Sequence, residues 1–194
     1  MEIVFATHNK NKLRELQEML SGYNITILGL SDIGCNEDIE ENATTIVGNA
    51  EIKARYVKSH YGYNCFADDT GLMIDALGGA PGVYSARFAG DDCDSERNID
   101  KVLQLMAGKE NRNARFVTVI ALSLGDTEMI FEGEVQGEIL TQRRGVGGFG
   151  YDSIFEPEHC GMTFAEMSPE QKNSISHRGR AVKKLVAYLS NVSK

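Results

Sequence analysis

Two runs rich in β-branched residues, Arg115 to Leu124 and Glu128 to Leu140, meet at Gly125-Asp126, and this pair constrains the fold more than any other feature of the chain. Their alternation predicts two long strands joined as an antiparallel hairpin. Ahead of them strands and helices take turns. Ile3-Val4-Phe5-Ala6 reads as a buried strand, and Leu13, Leu16, Met19 and Leu20 then recur at helical spacing. A strand around Ile25 to Leu28 precedes a helical pattern with Ile46, Val47, Ala50, Ala54 and Val57. Cys65-Phe66-Ala67 reads as a short strand ending in a polar corner, Asp68-Asp69-Thr70-Gly71, with a loop through the turn-rich stretch Gly78 to Gly82. Asp94 or Ser95 caps a helix over Ile99, Val102, Leu103 and Met106 that stops near Gly108. Ser168-Pro169-Glu170-Gln171 has the form of a capping box, and Ala181, Val182, Leu185, Val186 and Leu189 share one face of a terminal helix. Early alternation followed by a hairpin predicts an α/β fold with a mixed sheet covered by helices.

Size and charge narrow the function classes. The 194 residues fit one domain spanning 1–194, or two closely joined lobes, and the sequence shows no internal repeat. Twenty basic against 28 acidic residues give a net charge of −8, which argues against a nonspecific nucleic-acid surface or binding to an acidic membrane. The first apolar run, Ile3 to Ala6, is too short for a signal-peptide core and no stretch approaches a membrane span, so a cytoplasmic location is expected. Cys35, Cys65, Cys93 and Cys160 form no C-x-x-C pair, and reduced, packed thiols are expected instead of a zinc or redox motif.

Four constellations bear on chemistry. Gly145-Val-Gly-Gly-Phe-Gly-Tyr-Asp152 is too glycine-rich for a strand or helix, and it offers two aromatic rings and a carboxylate on a shaped loop, either a long surface turn or a seat for a flat ligand. Thr7-His8-Asn9-Lys10-Asn11-Lys12 joins a strand to a helix start, where amides, dipole and two lysines suit phosphate, although the P-loop spacing is absent and a solvated helix start is the plainer alternative. Asp68 and Asp69 at the end of a buried strand, with Glu40 and Glu41 from elsewhere, form an oxygen-rich set of the kind Mg²⁺ takes, or else simple turn chemistry before Gly71. Lys172, Ser176, His177, Arg178 and Arg180 gather donors between two helices, for a phosphate or a carbonyl-bearing base, or as an exposed junction. Together they amount to a Mg²⁺-dependent nucleotide site, without choosing the bond that is cut.

At these residues the sequence resembles the inosine triphosphate pyrophosphatase family, enzymes that clear ITP, dITP and XTP from nucleotide pools. The resemblance covers nearly the whole chain. It rests on Ala6 to Lys12, on Ala67 to Gly71 with Gly78 to Arg87, on Gly147 to Asp152 and on Ser176-His-Arg-Gly179, in that order. It implies a mixed elongated β-sheet flanked by helices, two lobes around a central nucleotide-binding cleft, and a homodimer acting on a purine nucleoside triphosphate with Mg²⁺. By position, Thr7, His8, Asn9, Lys10, Asn11 and Lys12 would hold the triphosphate with Lys53 and Lys172. Asp69 would be the general base and, with Glu41, a metal ligand, and Asp68 a supporting carboxylate. Thr70 would keep the hydroxyl that many bacterial relatives supply as serine. Phe149 would stack on the purine, Gly150, Tyr151 and Asp152 would shape its pocket, and His177 and Arg178 would address the base edge. After Glu40-Glu41 the chain reads Asn-Ala-Thr-Thr-Ile where relatives commonly have Thr-Gly-x-Thr-Phe, so both glutamates stay candidates for the metal. The competing readings are a nucleotide sensor that binds without turnover and a septum-inhibitor type enzyme acting on modified pyrimidine nucleotides. Retained carboxylates and lysines weigh against the first, and the Gly-Gly-Phe-Gly-Tyr-Asp and Ser-His-Arg segments against the second.

Overall fold

A computed structural model of the chain describes residues 1–192. Strand β1 (Glu2–Phe5) is followed by helix α1 (Lys10–Leu20), β2 (Thr26–Leu28) and α2 (Ile46–Tyr61). β3 (Cys65–Ile74), β4 (Pro81–Gly82) and α3 (Ser95–Leu105) come next, then β5 (Asn113–Leu124), β6 (Thr127–Ile139) and β7 (Phe155–Pro157). The chain ends in α4 (Pro169–Ile175) and α5 (His177–Val192). The strands form one mixed sheet in the order β2-β1-β3-β5-β6-β7, with β4 paired to β3. β1 is parallel to both β2 and β3, as strands joined through crossover helices must be, whereas β4 on β3 and β7 on β6 are antiparallel. The hairpin expected at Gly125-Asp126 is present, and Gly125 has the φ of +59° that a type II′ turn needs at its first central residue.

Contacts divide the chain into two compact units, one of residues 1–69, 118–133 and 178 onward, the other of residues 70–117 and 134–177. In the first, Ile3 and Phe5 of β1, Phe66 of β3 and Ile120 of β5 pack with Leu16 of α1 and Leu185 of α5. In the second, Leu72, Ile99, Val102, Phe116, Phe155 and Phe164 are among the residues of a separate core. The apolar face read for α5 is buried, those read for α1 and α3 are buried except for the partly buried Leu13, Met19 and Leu103, and Val47 at the start of α2 is exposed.

Two expectations are corrected. No corner interrupts Asp68-Asp69-Thr70-Gly71: β3 runs straight through to Ile74, and Leu72 and Met73 pair with Gly82 and Pro81. Paired carboxylates usually end a buried strand because an uncompensated charge cannot stay there, and β3 continues because both aspartates meet cations. The thiols are all free, but only Cys35 and Cys65 are packed; Cys93 is exposed and Cys160 half-buried, since both lie in turns.

Candidate active site

The pleat of β3 decides where its two carboxylates go. Successive strand residues face opposite sides of the sheet. Phe66 enters the core with α1 and α5, while Cys65 donates its S–H to the Ala54 carbonyl of α2. Asp68, in phase with Phe66, therefore faces α1 and α5, and Asp69, in phase with Cys65, faces α2.

The contacts follow that parity. Asp68 is 1% exposed, and it accepts from Lys12 Nζ of α1 at 2.9 Å and from Arg178 Nε of α5 at 3.1 Å. Arg178 also reaches Glu15 Oε2 at 2.5 Å, so two acids and two bases close a buried network. Burial opposes the charge on Asp68, but Lys12, Arg178 and Lys53 outweigh it and hold the carboxyl well below the usual carboxylate range. Burial pushes Lys12 below the ordinary lysine range despite Asp68 beside it. On the other face, Asp69 Oδ2 accepts from Asn49 Nδ2 at 3.3 Å, and its Oδ1 lies 3.9 Å from Lys53 Nζ. Burial raises Asp69 above the usual carboxylate range even with Lys53 and Lys12 opposing. Neighbouring carboxyls whose affinities for protons are pushed in opposite directions divide the work: Asp68 stays ionised as a fixed counter-charge, and Asp69 can take up a proton.

Lys53 Nζ also donates to Glu41 Oε1 at 2.8 Å, while Glu40 is exposed. Burial disfavours the Lys53 ammonium, yet Asp69, Glu41 and Asp68 keep it above the ordinary lysine range. Among the described residues no group of three or more His, Cys, Asp and Glu side chains is arranged to hold a metal ion. Magnesium ordinarily takes only one or two protein carboxylates and completes its shell with water and substrate phosphate oxygens. Glu41 and Asp69 fit that requirement, because both approach a single ammonium and so converge where a cation is favourable.

At the start of α1, Asn9 is the N-cap, and its Oδ1 accepts from the amides of Asn11 and Lys12 while Thr7 Oγ1 accepts from the Asn9 amide. Two amides of the helix start are thus engaged by the cap, and the side chains of Lys10 and Asn11 are exposed beside it. His8 is exposed and bonds through Nε2 to the Glu37 carbonyl at 2.9 Å.

The second unit holds the aromatic constellation. Asp152 Oδ2 accepts from the Phe149 amide at 2.8 Å and from Lys172 Nζ at 2.7 Å, and that ammonium lies 4.7 Å from the Phe149 ring centroid. Lys172, 5% exposed, is held among aromatic rings here. Tyr151 O–H donates to the Ser85 carbonyl at 2.7 Å, and His177 stacks on Phe116 with centroids 4.6 Å apart. Thr70 continues β3 and is half-buried. Gly148 has φ +70°, and a Cβ there would collide with the Asp152 carboxylate. Gly148→Ala should therefore lower stability by about 1–3 kcal/mol through left-handed strain and the displaced Asp152, with a raised KM for nucleotide. Urea unfolding checks it, and an unchanged midpoint would show that Asp152 is not fixed as described.

Sequence reasoning did not single out Glu15, Asn49 or Ser85. Asn49 had a signal: it sits one turn before Lys53 on the face of Ala50, Ala54 and Val57, and polar residues inside an apolar stripe require partners. Ser85 accepts from the Leu72 amide of β3 and donates to the Gly82 carbonyl of β4, contacts that spacing does not reveal.

A family model described as the Ham1 family matches residues 3–188. The chain is 54% identical over 190 residues to a dITP/XTP pyrophosphatase of Christiangramia forsetii, covering 98% of this chain and 100% of that one. It is 48% identical to a dITP/XTP pyrophosphatase of Porphyromonas gingivalis, covering 97% of each. Among solved structures it resembles a HAM1 protein from Coxiella burnetii, with TM-score 0.89, 41% identity and 98% and 99% of the two chains covered. The Ham1 protein of Staphylococcus aureus gives TM-score 0.88 at 38% identity, with the same coverage. With its fold and nearly its whole length matched, this chain belongs to the Ham1 family.

Proposed function

We propose that this chain hydrolyses dITP, XTP and ITP to the monophosphate and pyrophosphate with Mg²⁺, as one catalytic domain spanning 1–194. The observation that carries the reading is the placement of Asp68 and Asp69 on opposite faces of β3, Asp68 bound to Lys12 and Arg178 and Asp69 beside Asn49 and Lys53. The names of the full-length relatives, dITP/XTP pyrophosphatase, support the substrate class. Homodimer formation and a cytoplasmic location are part of the same proposal.

One water is consumed and the α–β phosphoanhydride is broken, so a proton must leave the water as pyrophosphate departs. Asp69 accepts that proton, and Asn49 and Lys53 hold its carboxylate in place. Thr7, His8, Asn9, Lys10, Asn11 and Lys12 bind the triphosphate with Lys53, while Asp68 fixes Lys12 and Arg178. Glu41 and Asp69 would hold Mg²⁺, which when bound would supply charge neutralisation of the phosphate oxygens. Phe149 stacks on the base, with Gly150, Tyr151 and Asp152 shaping its surroundings; Lys172, expected from the resemblance to help hold the triphosphate, is assigned to this pocket instead because it is bound to Asp152 beside the Phe149 ring. Donors from His177 and Arg178 suit the 6-keto oxygen of hypoxanthine or xanthine, whereas the 6-amino group of adenine would set donor against donor.

Pyrophosphate and orthophosphate should be measured separately with Mg²⁺ and dITP, XTP, ITP, ATP or GTP. Pyrophosphate from the first three and little from ATP and GTP is expected. Orthophosphate would move the cut to another bond, and binding without product would make the chain a sensor.

A further inference from the structure

Glu41 lies on the segment that leads into α2, and that segment is fastened at a point the mechanism has not used. Glu37 Oε1 accepts from two phenols of α2, Tyr56 at 2.8 Å and Tyr61 at 2.6 Å. Glu37 Oε2 accepts from the Asn36 amide at 3.1 Å. The Glu37 backbone carbonyl accepts from His8 Nε2, and because a carbonyl only accepts, His8 carries a proton on Nε2. Donation by Tyr61 first, and then by backbone and Tyr56, brings the Glu37 carboxyl down to about 2, so it stays charged at neutral pH.

Position distinguishes this residue from an ordinary surface acid. Four residues on, Glu41 meets Lys53, and the Ala43 amide donates to Asn49 Oδ1 at 3.0 Å. The segment is thus tied to α2 at three places. Lys53 and Asn49 also touch Asp69, whereas Glu37 meets two phenols, the Asn36 amide and His8. Glu37 nevertheless joins three parts of the site: α2, the approach to Glu41 and the turn before α1. Neutral phenols, unlike a lysine, fix the Glu37 carboxylate without adding a further cation to the segment.

We propose that Glu37 is a positioning residue: with Tyr56 and Tyr61 it sets the segment that delivers Glu41 to the metal, and through its carbonyl it sets His8 in the same frame. The inference rests on the roles proposed above for Glu41 and for Thr7 to Lys12.

The test compares Glu37→Ala, Glu37→Gln and the double variant Tyr56→Phe/Tyr61→Phe with the wild type. Pyrophosphate release from dITP is followed against Mg²⁺ concentration, and binding of α,β-methylene-dITP is titrated by calorimetry at low and high Mg²⁺. In Glu37→Ala and the double variant, losing bonds of ordinary strength should raise the Mg²⁺ needed for half-maximal rate about 3- to 10-fold. KM should rise with it, kcat at saturating Mg²⁺ and nucleotide should change less than about twofold, and the binding deficit should close at high Mg²⁺. Glu37→Gln keeps an acceptor oxygen for the phenols and should stay near wild type. If Glu37→Ala and the double variant only melt earlier, with Mg²⁺ dependence unmoved, the proposal is overturned. Binding is read without turnover, so a wild type that binds the analogue and releases no pyrophosphate overturns the catalytic reading alone, and calorimetry still decides on Glu37.

Discussion

Replacing Asp69 by asparagine should reduce turnover by about 10²- to 10⁴-fold, the range supplied by a positioned general base, while the folded protein survives unharmed. Three features lead there. The amide has almost the volume of the carboxyl, so β3 and α2 keep their packing around it. Lys53 loses a partner at 3.9 Å but retains Glu41 at 2.8 Å, so its ammonium is not left alone. Burial has raised Asp69 above the ordinary carboxylate range, which means that its ionised form is disfavoured in the folded chain relative to the unfolded one. A group with a raised folded value contributes less as pH climbs past it, so at neutral pH a neutral asparagine should leave stability unchanged or slightly increased. Single-turnover assays with dITP beside thermal melts decide the matter. A variant that keeps full rate would remove Asp69 from the chemistry, and one that unfolds would mean that its carboxylate is structural.

Local signals in the sequence were legible and long-range compensation was not. The hairpin at Gly125-Asp126 and the cap at Ser168 depend on residues within a turn of one another, and both are where their patterns put them. The alternation of α1, α2 and the first three strands is likewise written in apolar spacing. Asp68-Asp69 looked like the end of a strand because the partners of Asp68 lie 56 and 110 positions away in the chain. Once Phe66 is known to face α1 and α5, the pleat alone assigns the two carboxylates to opposite faces. That step needed only the strand's continuation, which the charges concealed.

The candidate site divides in the same way. Thr7 to Lys12 and the glycine loop are contiguous, so their residues could be named from spacing, yet what each touches could not. Asn9 proved to be the cap of α1, and Lys172 proved to sit on Asp152 and beside Phe149. Of Glu40 and Glu41, it is Glu41 that pairs with Lys53, the ammonium that also approaches Asp69, while Glu40 is exposed, and spacing alone could not tell the two apart. The two compact units had no linker to betray them. Each is assembled from separated segments, and the chain passes from one to the other within continuous strands such as β3.

Asp68→Asn should show the opposite phenotype, a loss of about 3–5 kcal/mol in stability at neutral pH, because removing one member of a buried ion network leaves the others uncompensated. Arg178 is 2% exposed, and its Nε would then face an amide in place of a carboxylate. Glu15 still accepts from the same guanidinium, and Lys12 is partly exposed, so the lower end of that range is expected. The sign with pH is fixed by the depressed value of Asp68 in the folded chain. Its contribution is fully present above the unfolded carboxyl value of about 3.9 and is lost as pH falls towards the folded one. The gap between wild type and variant in urea unfolding should therefore be wide at pH 7 and narrow steadily below about pH 4. A gap independent of pH would mean that shape, not charge, is what Asp68 contributes. A variant as stable as the wild type at neutral pH would show that Lys12 and Arg178 find other partners. With Asp69→Asn alongside, the two substitutions separate stability from turnover at adjacent positions of one strand, the outcome that opposed faces of β3 require.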